Sequence, residues 1–258
     1  MSPWKRVFGG QVLAQSVNAA YRTVPENRFL HSMHAYFILA GDIKVPIIYN
    51  VDVVRDGGSF TTRRVTAIQK GRPIFTMAAS FQLKQEGFEH QIKMPEVTPP
   101  EELLSDHEII ESIKDSFPKA YSAYNHERPI EFRPVENYGP LLQKNSEPFQ
   151  HIWFRAKGDV GPKVSTNHEI LAYASDYNLL TTATLPHRES LNKRKSFLAS
   201  LDHAMWIHQE FNISDWHLYA LDSPSASNSR GFTRGNIFSK EGSLVASVVQ
   251  EGLIRMIE

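Results

Sequence analysis

The sequence predicts an α+β fold that uses one unit twice, a helix followed by an antiparallel meander of strands. Three observations carry this. The helix-then-strands order occurs in residues 9–84 and again in residues 129–258. Alternating apolar runs are separated by Asp56-Gly57-Gly58, Lys70-Gly71 and Lys240-Glu241-Gly242, which read as hairpin turns. The second helix, residues 168–185, contains Ile170, Leu171, Ala172, Tyr173, Ala174, Tyr177, Leu179, Leu180 and Ala183. A helix this apolar needs cover on most sides, and a sheet curled around it provides that cover. Such a unit is a hotdog fold, so two in one chain make a double hotdog with its sheets joined edge to edge.

Each element has a local reason. Gly9-Gly10 precedes residues 11–24, where Val12, Leu13, Ser16, Val17, Ala19 and Ala20 fall close to helical spacing and Pro25 ends the run. Strand-like segments follow at 29–39, 47–54, 60–69 and 74–83. Residues 85–128 are charged and broken by Pro95, Pro99, Pro100 and Pro118. Strands return at 130–135 and 151–156. A helix capped by Thr166 or Asn167 runs to about Thr184, ahead of Pro186. Further strands occupy 197–207, 216–221, 231–238 and 244–254. This divides the chain into an N-terminal hotdog over 1–95, a linker over 96–128 and a C-terminal hotdog over 129–258.

The two meanders align without a gap at an offset of 171, pairing Leu30 with Leu201, Thr62 with Thr233, Arg63 with Arg234 and Gly71 with Gly242. Identity is near chance, so the support is the matching of turns and alternation.

Composition narrows the function. In 258 residues, 28 basic and 28 acidic side chains cancel, which leaves no general attraction for nucleic acid or an anionic membrane. Cysteine is absent, which excludes a thiol nucleophile and cysteine-bound zinc. No apolar run approaches a membrane span, and the N-terminus lacks a secretory core. The ending Arg255-Met256-Ile257-Glu258 is not a peroxisomal address. A cytoplasmic protein with no nucleic-acid or membrane partner is the expectation.

G-x-S-x-G, P-loop, G-x-G-x-x-G and H-E-x-x-H patterns are all missing, and the eleven histidines form no cluster at ligand spacing. Neither a metal nor another cofactor is expected. Asp176 stands out, because it lies near the middle of the predicted apolar helix, where Asp is unfavourable. Either it faces solvent on a polar stripe with Ser175, Asn178 and Thr182, or it is a base held in a crevice. Aligning Gln11-Val12-Leu13-Ala14 with Glu169-Ile170-Leu171-Ala172 sets Asn18 against Asp176. The meander alignment sets Ala79 against Gln250 and Phe29 against Ser200. One half is chemically equipped, and the other is a scaffold.

Together, several motifs make the chain resemble the acyl-CoA thioesterase II (TesB-type) family over about residues 6–255. They include Val7-Phe8-Gly9-Gly10-Gln11-Val12, His31-Ser32-Met33-His34-Ala35-Tyr36-Phe37, Arg55-Asp56-Gly57-Gly58-Ser59-Phe60 and Gly71-Arg72-Pro73-Ile74-Phe75. The second half adds Tyr173-Ala174-Ser175-Asp176-Tyr177-Asn178, Asp202-His203-Ala204-Met205-Trp206, Arg230-Gly231-Phe232 and Val249-Gln250-Glu251-Gly252. The resemblance implies a double hotdog that hydrolyses acyl-CoA to fatty acid and CoA. It also implies a catalytic Asp, Thr and Gln that fall on Asp176, Ser200 and Gln250. Ser200 departs from the family's Thr but keeps the hydroxyl. Family members usually carry more residues ahead of Val7, supplying a first strand, so the first sheet is expected to be one strand short.

His34 is a competing catalytic or substrate-contacting residue, since histidine is the usual base near neutral pH. Its counterpart at offset 171, Met205, argues against that role. His203 beside Asp202 suggests a dyad, but strand neighbours face opposite sides. Arg230 and Arg234, with Arg63 and Arg64, are candidates for the CoA phosphates, and Trp206, Met205 and Leu179 for the acyl chain. A homo-oligomer is expected, because hotdog sheets often assemble further. Two other readings stay open, a non-catalytic acyl-thioester or carrier-protein binding module and a hotdog hydratase.

Overall fold

A computed structural model describes residues 6–136 and 144–257. Residues 1–5, at the start of the expected first hotdog, and Glu258, at the end of the second, lie outside the described residues. The first half contains helix α1 (Gly9–Tyr21) and strands β1 (Phe29–Phe37), β2 (Ile48–Asp56), β3 (Phe60–Gln69) and β4 (Arg72–Gln82). Helix α1 buries Gly10, Val12, Leu13, Ser16, Val17 and Ala20, the face its apolar spacing defines.

The proline-broken stretch is not bare chain. It holds a 3-10 turn (Pro100–Glu102) and helices α2 (Asp106–Ser112) and α3 (Pro118–Tyr124). Helix α2 starts in a capping box: the Ser105 hydroxyl accepts from the Glu108 amide at 3.2 Å, and the Glu108 carboxylate accepts from the Ser105 amide at 2.8 Å.

The second half runs β5 (Ile130–Pro134), β6 (Phe149–Ala156), α4 (Val164–Ser175) and α5 (Leu179–Thr182). It continues with α6 (Arg188–Lys193), β7 (Ser196–Ser200), β8 (Asp202–Ile207), β9 (His217–Ser227), β10 (Arg230–Ser239) and β11 (Leu244–Met256).

All the strands form one sheet, in the order β2-β3-β4-β1-β8-β11-β10-β9-β6-β5, with β7 also on β11. The halves join where β1 pairs antiparallel with β8, from Ser32 opposite Trp206 to Tyr36 opposite Asp202. Helices α1 and α4 pack on each other, and one core contains Leu13, Val17, Met33, Phe81, Leu171, Met205 and Val248 from both halves. This is the double hotdog the sequence predicts. Strand β9 continues outward to β6 and β5, whereas β2 ends the order on its side. Among the described residues no helix is long and apolar enough to cross a membrane.

The structure corrects the repeat register. The β3/β4 irregularity at Ala67/Ile68 matches the β10/β11 irregularity at Ile237/Phe238, an offset of 170. The same offset relates two outward ion pairs, Arg64–Asp52 at 3.2 Å and Arg234–Asp222 at 2.5 Å. It also relates the buried positions Met33 and Ala35 of β1 to His203 and Met205 of β8. Only β4 and β11 keep the offset of 171, because the turn at Lys240-Glu241-Gly242 is one residue longer than Lys70-Gly71. Ala204, not Met205, is therefore the counterpart of His34, and Leu30, not Phe29, that of Ser200.

The predicted helix over 167–184 is also two helices. Helix α4 ends at Ser175 with Asp176 as its C-cap, Asn178 takes a left-handed conformation at φ 68°, and α5 restarts at Leu179. Asn tolerates that conformation better than most residues. Asn167 is not the N-cap, which is Lys163. It sits buried in the first turns, accepting from the Ile213 amide at 2.8 Å and donating to the Lys163 carbonyl at 3.0 Å. The predicted strand over 197–207 is interrupted at Leu201, so β7 and β8 pair with successive parts of β11.

Candidate active site

The helix break puts Asp176 at a junction between the halves. The residue before α1, Phe8, has no capping side chain. The cap comes from Asp176, whose Oδ2 accepts from the Gly10 amide at 2.8 Å. The adjacent glycines make room for this approach. A Cβ on Gly9 would lie 2.7 Å from Asp176 Oδ2 and 2.9 Å from the Phe37 ring, and one on Gly10 would lie 2.4 Å from the Tyr173 carbonyl oxygen. The carboxylate thus meets the positive end of α1, which offsets its place at the negative end of α4.

The other carboxylate oxygen, Oδ1, accepts from Gln250 Nε2 at 2.8 Å. Burial raises the Asp176 carboxyl above the ordinary aspartate value, while the Gln250 and Gly10 hydrogen bonds pull it down. A buried chain of groups continues behind Gln250. Its Nε2 lies 3.3 Å from His203 Nδ1, and His203 Nε2 lies 3.0 Å from Ser175 Oγ. The Ser175 hydroxyl donates to the Ala172 carbonyl at 3.1 Å, and Tyr219 donates to the Ser175 carbonyl at 3.0 Å. Burial holds the His203 imidazole down at about 3, so the ring is neutral. Gln250 Oε1 is buried with no partner among the described residues.

Ser200 ends β7 opposite Gly252, so its side chain shares the face of Gln250, two residues along β11. Among the described residues its hydroxyl makes no hydrogen bond. The structure therefore joins Asp176 to Gln250 and places Ser200 on the adjoining strand of the same face.

The remaining candidates lie elsewhere. His34 is exposed on the opposite face, with its ring edge-on to Trp206 at 5.1 Å. Arg230 pairs with Glu251 at 2.9 Å, and Arg234 with Asp222, also on that outer face. Arg63 is buried, bonded to Asp56 at 2.7 Å and to the Thr23 carbonyl at 2.8 Å, where it anchors the end of α1. All four suggested arginines are already paired with carboxylates. Met205 and Leu179 are fully buried in the shared core.

The opposite end of the helix pair differs. There the Asn18 side chain bonds Glu169, whose carboxyl is raised by burial. A cavity of about 870 Å³ opens at this end, bordered by Asn18, Glu169, Arg22, Tyr49, Lys157 and Tyr173. Sequence reasoning set His203 aside as a dyad partner of Asp202 and missed its place behind Gln250, as it missed the role of Gly9-Gly10. With the extra residue placed in the 240–242 turn, His203 falls opposite Met33, a polar-for-apolar exchange in the half that also carries Asp176 and Gln250. Among the described residues no three His, Asp or Glu side chains converge as a metal site.

Comparison with known proteins bears on this geometry. A family profile described as acyl-CoA thioesterase matches residues 120–253, and one described as acyl-CoA thioesterase N-terminal domain matches residues 1–82. The chain is 38% identical to acyl-CoA thioesterase 2 of Haemophilus influenzae, covering 99% of this chain and 90% of that protein. It is 42% identical to human acyl-coenzyme A thioesterase 8, covering 98% of this chain and 82% of that protein. The crystal structure of acyl-CoA thioesterase II TesB2 from Mycobacterium marinum superimposes with a TM-score of 0.81 at 39% identity, covering 100% of this chain and 92% of that one.

Proposed function

The chain belongs to the acyl-CoA thioesterase family, and from that premise we propose that Asp176 activates a water molecule for attack on the thioester carbonyl of an acyl-CoA. Gln250 and Ser200 hold that water. The observation that carries this reading is the Asp176–Gln250 contact at the N-terminus of α1, made by side chains 74 residues apart in sequence.

Water is a weak nucleophile, so the rate depends on a base that takes a proton as the C–O bond forms. A positioned base of this kind contributes about 10²–10⁴ in rate. Burial makes Asp176 a stronger base than an exposed aspartate, while its two donors keep it anchored. Ser200 supplies a hydroxyl without a competing partner, free to bond the same water. As water adds, the carbonyl oxygen becomes an oxyanion; Gly10 N–H is given to Asp176 and those of Gln11 and Val12 to the Phe8 carbonyl, which leaves the Gly9 N–H at the start of α1 as the donor for it. Collapse of the tetrahedral species expels the CoA thiolate, a good leaving group that needs little acid assistance.

The test is release of free thiol from octanoyl-CoA, followed with a thiol reagent. Parent protein releases CoA, and D176N does not. Binding without thiol release would make the protein a binding module, and loss of enoyl absorbance from an enoyl-CoA without thiol release would make it a hydratase.

A further inference from the structure

Gln250 is a carboxamide with two donors and one acceptor, and the way it is turned decides what it offers the reaction. Its surroundings fix that orientation from behind. The chain of hydrogen bonds begins at the Ala172 carbonyl, which can only accept. Ser175 spends its hydrogen there, at 3.1 Å. The Ser175 oxygen must then accept from His203, 3.0 Å away, which puts the ring proton on Nε2 and leaves Nδ1 bare. A bare Nδ1 accepts, so the Gln250 atom facing it at 3.3 Å is the amide nitrogen. The second hydrogen of that nitrogen goes to Asp176 Oδ1 at 2.8 Å. Both donors are consumed, and the carbonyl Oε1 is left buried and unpartnered.

We propose that His203 is a positioning residue that locks the Gln250 amide so that Oε1 accepts one hydrogen of the attacking water while Asp176 accepts the other. This deepens the hydrolytic reading and rests on it. Water gripped by both hydrogens presents a lone pair to the thioester carbonyl. With the amide reversed, Oε1 would face the carboxylate of Asp176 and Nε2 would compete for the lone pair that must attack. A neutral His203 serves this purpose at any working pH, since a protonated ring would donate toward the amide nitrogen.

The first test reads the parent protein. Nitrogen NMR of protein labelled in histidine reads the tautomer of His203, assigned with H203N. A neutral ring protonated on Nε2 is expected, and a proton on Nδ1 overturns the proposal. The second test is kinetic, with octanoyl-CoA. H203L removes the acceptor and lowers kcat about 30-fold, because a small misplacement of a catalytic group is costly, with KM unchanged. H203N keeps an acceptor where Nδ1 was and restores most of that loss. In a Q250A background, H203L changes kcat by less than about twofold, because the two act as one unit. If H203L costs as much in Q250A as in the parent, the positioning role is wrong while the hydrolytic reading stands. If Q250A itself leaves kcat intact, the catalytic reading of Gln250 falls and the proposal falls with it.

Discussion

The α1/α4 helix pair has two related ends that have diverged. At one end Asp176 caps the start of α1, with Gln250 beside it. At the other end Asn18 stands in the corresponding place, Ala79 replaces Gln250, and Met33 replaces His203. Helix α4 adds a further difference. It begins at Val164, ahead of the position matching the start of α1, so no free helix N-terminus meets Asn18. On the proposed reading, the contrast means that a carboxylate alone does not make this site. It needs an exposed helix start to hold it, two glycines to admit it and an amide to share it.

Breaking the equipped end should have the largest effect. D176N should lower kcat by about 10²–10⁴ while circular dichroism and melting temperature stay near those of the parent. The converse exchange sharpens the contrast: N18D in the D176N background should restore no thiol release, because the other end lacks the helix start and the amide. Measurable turnover in that double variant would show that the carboxylate alone suffices.

Q250A ranks next, with kcat down about 10–100-fold and KM little changed, as expected for an interaction that acts mainly in the transition state. A rise in KM alone would make Gln250 a substrate contact. A79Q, its partner exchange, should leave both constants unaltered.

G9A tests the approach of the halves. The added methyl meets Asp176 Oδ2 at 2.7 Å and the Phe37 ring at 2.9 Å. Relief requires moving the carboxylate, so kcat should fall about tenfold, with a stability cost of about 1–3 kcal/mol in urea unfolding. Unchanged kcat would mean that the close contact is dispensable.

The last comparison concerns the pH dependence of stability rather than turnover, and to it each end contributes one deeply buried histidine. Burial pushes His203 down to about 3 and His168 to about 4, from 6.5. Both rings stay neutral when folded and take up a proton on unfolding, so their stability is fully present above pH 6.5 and is lost on acidification toward 4 and 3. Each ring should contribute a slope approaching about 1.4 kcal/mol per pH unit in that window. The raised Asp176 carboxyl has the opposite sign, since it loses stability as pH rises through its value. Urea unfolding at several pH values should show a shallower slope between about pH 4 and 6.5 in H168N than in the parent.

The architecture was legible because turns and alternation are local signals. Asp56-Gly57-Gly58 and Lys70-Gly71 mark hairpins whatever surrounds them. The break after α4 was not legible, since Leu179 to Ala183 continues the apolar pattern and only the left-handed turn at Asn178 ends the helix. Asp176 and Gln250 were found as exchanges between the halves. His203 escaped because a gap-free alignment set it against Ser32, and one residue of slip in a strand exchanges its two faces. Arg63 carried no mark of its burial, because its partners include the Thr23 carbonyl, 40 residues back along the chain.

The glycines that admit Asp176 belong to the half that carries Asn18 in the matching place. Duplication of a unit ordinarily frees one copy to drift, but here a change at one end of the helix pair does not release the residues at the other. Gly9 and Gly10 remain tied to a carboxylate more than 160 residues downstream, so the first unit still shapes the surroundings of Asp176. A protein of this plan can carry its proposed reaction centre at one end only and still require both of its units.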